Sequence, residues 1–170
     1  MQSFIKSSRL AAMGIVAGLL SVTGSALAAD NASMAVSAEV TAICDITSTA
    51  MDFGFYNPLA VTALTSTATV AVTCTNGLAA GIQLDDGANQ TVGSTLDTPV
   101  RRMASGLNFL SYELSQASNF SGIWGGTPAS DVEHAGTGVE VPLTVYGRIA
   151  AGQNVPGGVY TDTVAVLVVF

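Results

Sequence analysis

Apolar residues occupy every second position at both ends of this chain, and that pattern restricts it to β structure. The last stretch, YTDTVAVLVVF, covers 160–170 and places Val164, Val166, Val168 and Phe170 on one register. Period two is the side-chain repeat of a strand, because successive residues point to opposite faces of a sheet. Chain ends usually carry polar residues, whereas this one ends on Phe. The strand therefore needs an apolar surface along its whole length.

The chain beyond residue 28 is typical of a single all-β domain. Runs rich in Thr, Val and Ala alternate with turn-like clusters such as DDGANQ and AGQNVPGG, and no amphipathic helical period is evident. Seven to nine short strands predict a sandwich or a small barrel. The predicted strands cover 32–46, 52–56, 67–75, 80–85, 98–104, 107–114, 121–125, 138–148 and 160–170.

The first residues have the composition of a secretory signal peptide. Lys6 and Arg9 precede the apolar run LAAMGIVAGLL, and Ala26 and Ala28 form an A-x-A cleavage pattern. Eleven apolar residues are too few to span a bilayer. We expect removal of residues 1–28 from the 170-residue chain, which leaves an exported domain of 142 residues.

The charge balance excludes several classes of partner. The full chain has a net charge of −7, and loss of Lys6 and Arg9 leaves three arginines against twelve acids, a net charge of −9. A lysine-free acidic surface argues against binding to nucleic acid or insertion at an anionic membrane.

Two cysteines, Cys44 and Cys74, remain in the exported part of the chain. In an oxidising compartment they predict a single structural disulfide. Closing a loop of about 30 residues stabilises the fold by roughly 3.5 kcal/mol in the chain-entropy model.

No set of residues predicts catalysis, a cofactor or a metal. His134 stands alone in the loop-like stretch SDVEHAGTG, where we expect it to be solvated, and the DDG of residues 85–87 lacks the alternating oxygen ligands of a calcium loop. The sequence contains no nucleophile elbow, phosphate-binding loop or Cys/His cluster. The other candidates have structural interpretations, solvation or local pairing for the two arginines and core packing for the two aromatics: Arg101, Arg102, Phe120 and Trp124.

The stretch ASMAVSAEV predicts a strand before the domain itself begins. Its apolar register holds Met34, Val36, Ala38 and Val40, and the run 32–46 is longer than one sandwich strand needs. A spare strand at one end and an uncovered apolar strand at the other predict a domain that lacks a strand and takes one from another copy, as in chaperone–pilin complementation. The predicted edge of this acceptor groove is Val164, Val166, Val168 and Phe170. Three or four inserted side chains contribute about 1.5–3 kcal/mol for each large one. Head-to-tail repetition of this contact builds a filament.

Ordered motifs along the exported chain carry a family resemblance. Cys44 is followed by F-G and Tyr56, then by V-x-V-T-C, L-D-x-G, R-R-M, L-x-Y-x-L, W-G, V-Y-G-R-I and G-x-Y-x-D-T-V-x-V. In this order and spacing the chain resembles the spore coat protein U domain, found in subunits of archaic, Csu-type chaperone–usher pili. The resemblance implies an incomplete immunoglobulin-like β-sandwich that lacks one strand and is completed by donor-strand complementation.

The resemblance also implies partners and a division of the chain. A periplasmic chaperone lends a strand, and an outer-membrane usher exchanges it for the N-terminal extension of a neighbouring pilin subunit. The donor extension is 29–40 and the pilin domain is 41–170. The product is a pilus on the surface of a Gram-negative bacterium, where it serves adhesion and biofilm formation. We expect a shaft subunit, because the chain leaves no room for an additional receptor-binding domain. The implied donor residues are Met34, Val36, Ala38 and Val40, and the family cysteines correspond to Cys44 and Cys74.

Two other classes of protein fit parts of the pattern. Outer-membrane β-barrels commonly end in an alternating strand with a terminal Phe, but Asp162 interrupts the apolar register here and the ten aromatics of the exported chain form no girdles. A secreted carbohydrate-binding module needs an aromatic site, and the sequence supplies no identifiable one.

Overall fold

The computed structural model describes residues 30–170. The predicted signal peptide lies outside the described residues. The chain divides into two units, Met1–Ala38 and Glu39–Phe170. In the first unit, residues 30–38 are exposed and have no assigned strand. No helix long and apolar enough to cross a bilayer occurs among residues 30–170.

The second unit consists of antiparallel strands in two sheets, which confirms the all-β prediction. The five-stranded sheet has the order β1-β2-β7-β5-β4 and the three-stranded sheet has the order β6-β3-β8. The strand bounds are β1 Cys44–Ser48, β2 Leu64–Cys74, β3 Ala79–Leu84, β4 Arg101–Ser105, β5 Asn108–Ser115, β6 Val132–Ala135, β7 Val141–Ile149 and β8 Val166–Val169.

The core lies between the two sheets and follows from the period-two pattern. Alternate residues of β2, β5 and β7 are buried, and their neighbours face outwards as Thr, Ser, Glu and Arg. Trp124 packs in the core as predicted, and its indole Nε1 donates a 2.7 Å hydrogen bond to the carbonyl of Ile82. The largest fully buried aliphatic side chains are Val70, Val72, Ile82, Leu84 and Ile149.

The prediction for His134 was wrong. The residue lies in β6, pairs with Ala80 of β3, and is only 9% exposed. The sequence VEHA has too few apolar residues to show strand alternation, so only its pairing with β3 makes it a strand. Two of the predicted strands, 52–56 and 121–125, are not strands in the structure, although Ile123 makes an isolated bridge to Ser115.

Arg101 is also buried rather than solvated, being 1% exposed. Its guanidinium donates to the carbonyls of Asp85 at 2.7 Å, Leu84 at 3.0 Å and Trp124 at 2.8 Å. Burial lowers the pKa of Arg101 from its ordinary value. The residue pairs with Tyr112 across β4 and β5, so its side chain shares the inward face. Arg102, one position on, faces out and lies over the ring of Phe109.

The sandwich has two distinct ends. The cysteine pole carries the Cys44–Cys74 disulfide and the turns 75–78 and 136–140, which bond to each other through Gly77 and Gly136. The loop pole is the opposite end and carries loops 54–63, 105–108 and 150–160. Leu64 pairs with Ile149 there, which places the first and third of these loops side by side.

Candidate functional site

Two sheet edges face each other along one side of the sandwich. Strand β1 is the edge of the five-stranded sheet and β8 is the edge of the three-stranded sheet. Parts of the two strands lie within 8 Å of each other, measured between Cα atoms, yet within residues 30–170 the two do not pair. Each edge therefore presents backbone groups to the space between the sheets.

The C-terminal segment, defined as residues 159–170, uses only one of its edges. Thr161 exchanges two backbone hydrogen bonds with Ala104 of β4, and farther on the carbonyls of Thr163 and Ala165 accept from Ala88 and Asp85. The N–H and C=O groups of successive residues point to opposite sides of a strand. The backbone groups of the residues between Thr161, Thr163 and Ala165 therefore point to the other edge of the segment. Across the described chain, Tyr160, Asp162 and Val164 make no backbone–backbone hydrogen bond.

Strand β1 shows the same alternation. On its two flanks, the carbonyl of Ile43 accepts from the backbone of Thr75, just after β2, and the backbone of Thr49 donates to the carbonyl of Thr69 in β2, each at 2.9 Å. The backbone groups of Cys44, Ile46 and Ser48 therefore point away from β2, towards the space beside β8. The disulfide to Cys74 attaches this edge strand covalently to β2. The two free edges also run in opposite directions, since β1 starts at the cysteine pole and the C-terminal segment ends near it.

Between these edges lies a cleft of about 540 Å³. One wall is Ser48–Phe53, which ends β1 and continues beyond it, and the other is formed by residues 159–162 with Val164 and Val166. The floor is the exposed part of the core, contributed by Ala68, Val70, Leu84, Met103, Tyr112, Leu114 and Val145. An open apolar slot bordered by unpaired backbone is the geometry that accepts an additional strand.

The first wall depends on a glycine of β7. A Cβ at Gly147 would overlap the side chains of Met51 and Phe53, which pack there against the core. The ring of Phe53 also meets Tyr112 edge-on, with centroids 6.2 Å apart. Asp52 is fixed by its carbonyl, which accepts a 2.5 Å bond from the Ser66 hydroxyl. The motifs F-G and V-Y-G-R-I, whose glycines are 93 residues apart, thus meet in one wall.

The second wall contains a polar group in an otherwise apolar slot. Asp162 accepts a 2.7 Å hydrogen bond from the Tyr112 hydroxyl and bonds of 2.9 and 3.2 Å from the side chain and backbone of Asn89. Burial, and then the bond to Asp162, raise the pKa of Tyr112 above its ordinary value of 10. The phenol is therefore a hydrogen-bond donor at every physiological pH.

The DDG turn holds this wall in place. Asp85 accepts from the backbone of Ala165 at 2.9 Å and of Gly87 at 3.0 Å. Gly87 has a φ of +80°, and a Cβ there would overlap the carboxylate of Asp162. Asp85, which sequence reasoning placed in a turn, therefore positions the C-terminal segment, and Gly87 lets the turn approach it.

The structure places the predicted edge residues in two groups. Val164 and Val166 line the cleft. Val168 is half-buried and sits opposite Ile82 of β3, whereas Phe170 is 60% exposed and does not line the cleft. Sequence reasoning missed Met51, Phe53 and Tyr112 as cleft residues. The run DFGFY contains Phe53 and directly follows Met51, and the motif L-x-Y-x-L contains Tyr112.

The predicted donor residues are exposed. Met34, Val36 and Val40 have exposures of 86%, 84% and 83%, and Ala38 is also exposed. Isolated exposed apolar side chains are common, but three at alternate positions form one apolar face if the segment is extended.

Comparisons with known proteins agree with this architecture. The model of the Spore Coat Protein U domain matches residues 30–167. A protein named Protein U, from Myxococcus xanthus, is 35% identical over 172 residues, which cover 95% of this chain and 96% of that protein.

A solved structure also shares the fold. It is the CsuC–CsuE chaperone–tip adhesion subunit pre-assembly complex from archaic chaperone–usher Csu pili of Acinetobacter baumannii. One chain of that complex matches with a TM-score of 0.50 and 21% sequence identity. The match covers 75% of the present chain and 40% of the chain in the complex. The predicted two-sheet, immunoglobulin-like sandwich is confirmed at the level of fold. By the family match and the full-length relative together, the chain belongs to the Spore Coat Protein U domain family.

Proposed function

We propose that this protein is a structural subunit of an archaic chaperone–usher pilus and polymerises by donor-strand exchange. The observation that carries the proposal is the cleft between the free edges of β1 and the C-terminal segment, with core side chains at its floor. An additional strand there would pair with both edges and cover the floor. The Csu complex, with a chaperone bound to a pilus subunit of similar fold, supports this interpretation.

The segment inserted into the cleft is residues 29–40 of another copy. Its register Met34, Val36, Ala38 and Val40 points four apolar side chains to one face. Covering the cleft floor with the three larger ones contributes on the order of 1.5–3 kcal/mol each, and Ala38 contributes less. Backbone hydrogen bonds to Asp162, Val164 and Ile46 supply the rest of the interaction.

The partners follow from the exposed cleft. An unpaired edge beside an apolar floor aggregates unless another chain covers it. A periplasmic chaperone covers it first, and an outer-membrane usher exchanges the chaperone strand for the next subunit. The chain is a shaft subunit exposed at the surface of a Gram-negative cell, where the filament serves adhesion and biofilm formation, and it carries no catalytic activity.

Deletion of residues 29–38 tests this proposal. The deleted protein should fold, bind the chaperone and still accept a synthetic peptide of residues 30–40, but it should form no filaments by electron microscopy. Full-length protein, purified with the same chaperone, is the control. Normal filaments from the deleted protein would exclude residues 29–38 as the donor, and failure of the peptide to bind would exclude the cleft.

A further inference from the structure

The loop pole exposes apolar side chains on each of its three loops. Leu107 occupies the tip of the β4–β5 turn and is 93% exposed, while Phe55 on loop 54–63 is fully exposed. Leu59, Val61 and Val159 on the flanking loops are each more than 80% exposed. Apolar groups gathered at one end of a soluble domain mark a surface for interaction.

The same loops contain no charged residue. Loops 54–63, 105–108 and 150–160 have none of the twelve acids or five basic residues of the chain. A pole without charge avoids the repulsion that two copies of an acidic protein experience on contact. The cysteine pole is similar, because its turns 75–78 and 136–140 carry Glu140 as their one charge.

Hydrogen bonds hold two of the loops to each other and to β5. The Tyr56 hydroxyl donates to the carbonyl of Ala150 at 3.0 Å and accepts from the backbone of Gln153 at 2.8 Å. The side chain of Gln153 in turn bonds both backbone groups of Ser111 in β5, each at 2.8 Å. Loops 54–63 and 150–160 are therefore preorganised, so that binding there orders few additional groups.

Chain direction then determines what meets this pole. If a copy inserts its residues 30–40, the four steps from Val40 to Cys44 span at most about 14 Å. Its cysteine pole must therefore lie where Val40 leaves the cleft. If Val40 left the cleft at the cysteine pole of the acceptor, two like poles would meet and the two copies could exchange strands reciprocally, which closes after two copies. If Val40 leaves at the loop pole, the contact repeats head to tail and does not close.

We infer that the loop pole is the docking surface for the cysteine pole of the next copy in the filament. The inference rests on the proposed function, since it takes donor-strand exchange as given. The cysteine pole offers Ile43 and Val139, which are 62% and 66% exposed, to Phe55 and Leu107 of its neighbour. The inserted strand then runs antiparallel to the C-terminal segment, and the uncharged loop pole meets a cysteine pole whose turns carry Glu140 as their one charge.

A pair of introduced cysteines tests the docking directly. Filaments of the double variant Leu107→Cys/Val139→Cys should give a ladder of disulfide-linked subunits after mild oxidation, resolved on a gel without reductant. The matched control is Val92→Cys/Val139→Cys, because Val92 is fully exposed but lies on the 85–100 loop outside the pole. The control should give no ladder. Equal ladders, or none from either variant, would overturn the inference.

Removal of the apolar groups gives a second measurement. Phe55→Ser/Leu107→Ser should still form filaments, but these should break into shorter fragments under shear than wild-type filaments or those of Val92→Ser. Unchanged fragment length, even if binding to an apolar surface such as polystyrene is lost, would overturn docking while donor-strand exchange stands. If wild-type protein with its chaperone and usher forms no filaments, the proposed function itself fails.

Discussion

The hydroxyl of Tyr112 donates a 2.7 Å hydrogen bond to Asp162, joining the five-stranded sheet to the C-terminal segment. Tyr112 is a core residue of β5 in the floor of the cleft, and Asp162 lies on its second wall. This bond therefore fixes the second wall to the floor of the cleft into which another strand is proposed to insert.

Removal of this bond should weaken the fold. Tyr112→Phe leaves the half-buried carboxylate of Asp162 with only the donors of Asn89, and we expect a loss of about 1.5–3 kcal/mol in the free energy of unfolding. Urea titration at pH 7 measures it. Tyr146→Phe is the control, because within the described chain its hydroxyl has no hydrogen-bond partner, and it should change stability by less than about 0.5 kcal/mol. Equal effects would show that the bond contributes nothing.

The ionisation of Tyr112 should also lower the free energy of unfolding at alkaline pH. The pKa of Tyr112 is higher in the folded than in the unfolded protein, where it is about 10, so the unfolded state loses its proton first. Its contribution is complete below pH 10 and decreases above it, by up to about 1.4 kcal/mol per pH unit. Tyr112→Phe should show a shallower decline between about pH 10 and 11.5. Parallel declines in urea midpoint would contradict this.

Gly147 should tolerate no side chain. Gly147→Ala places a Cβ against Met51 and Phe53, which must move out of the wall of the cleft. We expect about 1–3 kcal/mol of destabilisation and weaker binding of a peptide of residues 30–40, measured by thermal unfolding and by calorimetry. Gly122→Ala, where a Cβ meets nothing within 4 Å, is the control. Unaltered peptide affinity in the Gly147 variant would argue against this wall as part of the acceptor.

Arg101 should not be replaceable by lysine. An ammonium group cannot reach all three carbonyls that the guanidinium satisfies, and each buried carbonyl left unpaired costs about 1–3 kcal/mol. Arg101→Lys should therefore lose at least about 2 kcal/mol in chemical unfolding. Arg102→Lys, at a partly exposed site, should lose less than about 1 kcal/mol. A smaller loss at Arg101 than at Arg102 would contradict the role given to burial.

The register of the donor segment can be tested by two acidic substitutions one residue apart. Val36→Asp would place a carboxylate in the apolar cleft, which costs several kcal/mol, whereas Ser37→Asp would place it on the outward face. Filament yield should fall at least tenfold for Val36→Asp and stay within about twofold for Ser37→Asp. The reverse order would shift the register by one residue.

Strands with strong alternation were predictable from sequence, and those defined by their partner were not. The strands β2 and β7 have long apolar registers and were located within three residues at each end. The short β6 has none, so His134 was assigned to a loop. At Arg101 the charge indicated exposure. Three backbone carbonyls compensate for its burial, and sequence alone does not show that they converge on the guanidinium.

The candidate site was half predictable for a similar reason. Val164 and Val166 follow from period two, since the cleft takes its second wall from a regular segment. The first wall, at Met51 and Phe53, is irregular chain that depends on the absence of a side chain at Gly147. A sequence pattern does not report such a contact between residues about a hundred positions apart.

The disulfide between Cys44 and Cys74 makes completion of the cleft depend on the redox state of the compartment. Strand β1 has five residues and a sheet partner on one side, so the covalent link to β2 secures the strand that leads into the first wall. Thiols in a reducing cytoplasm stay unpaired, so for a chain exported as proposed the bond forms only after export. Under that proposal the chain is exported with an unfinished acceptor and completes it in the compartment of its proposed partners, which separates synthesis from assembly without any regulatory protein.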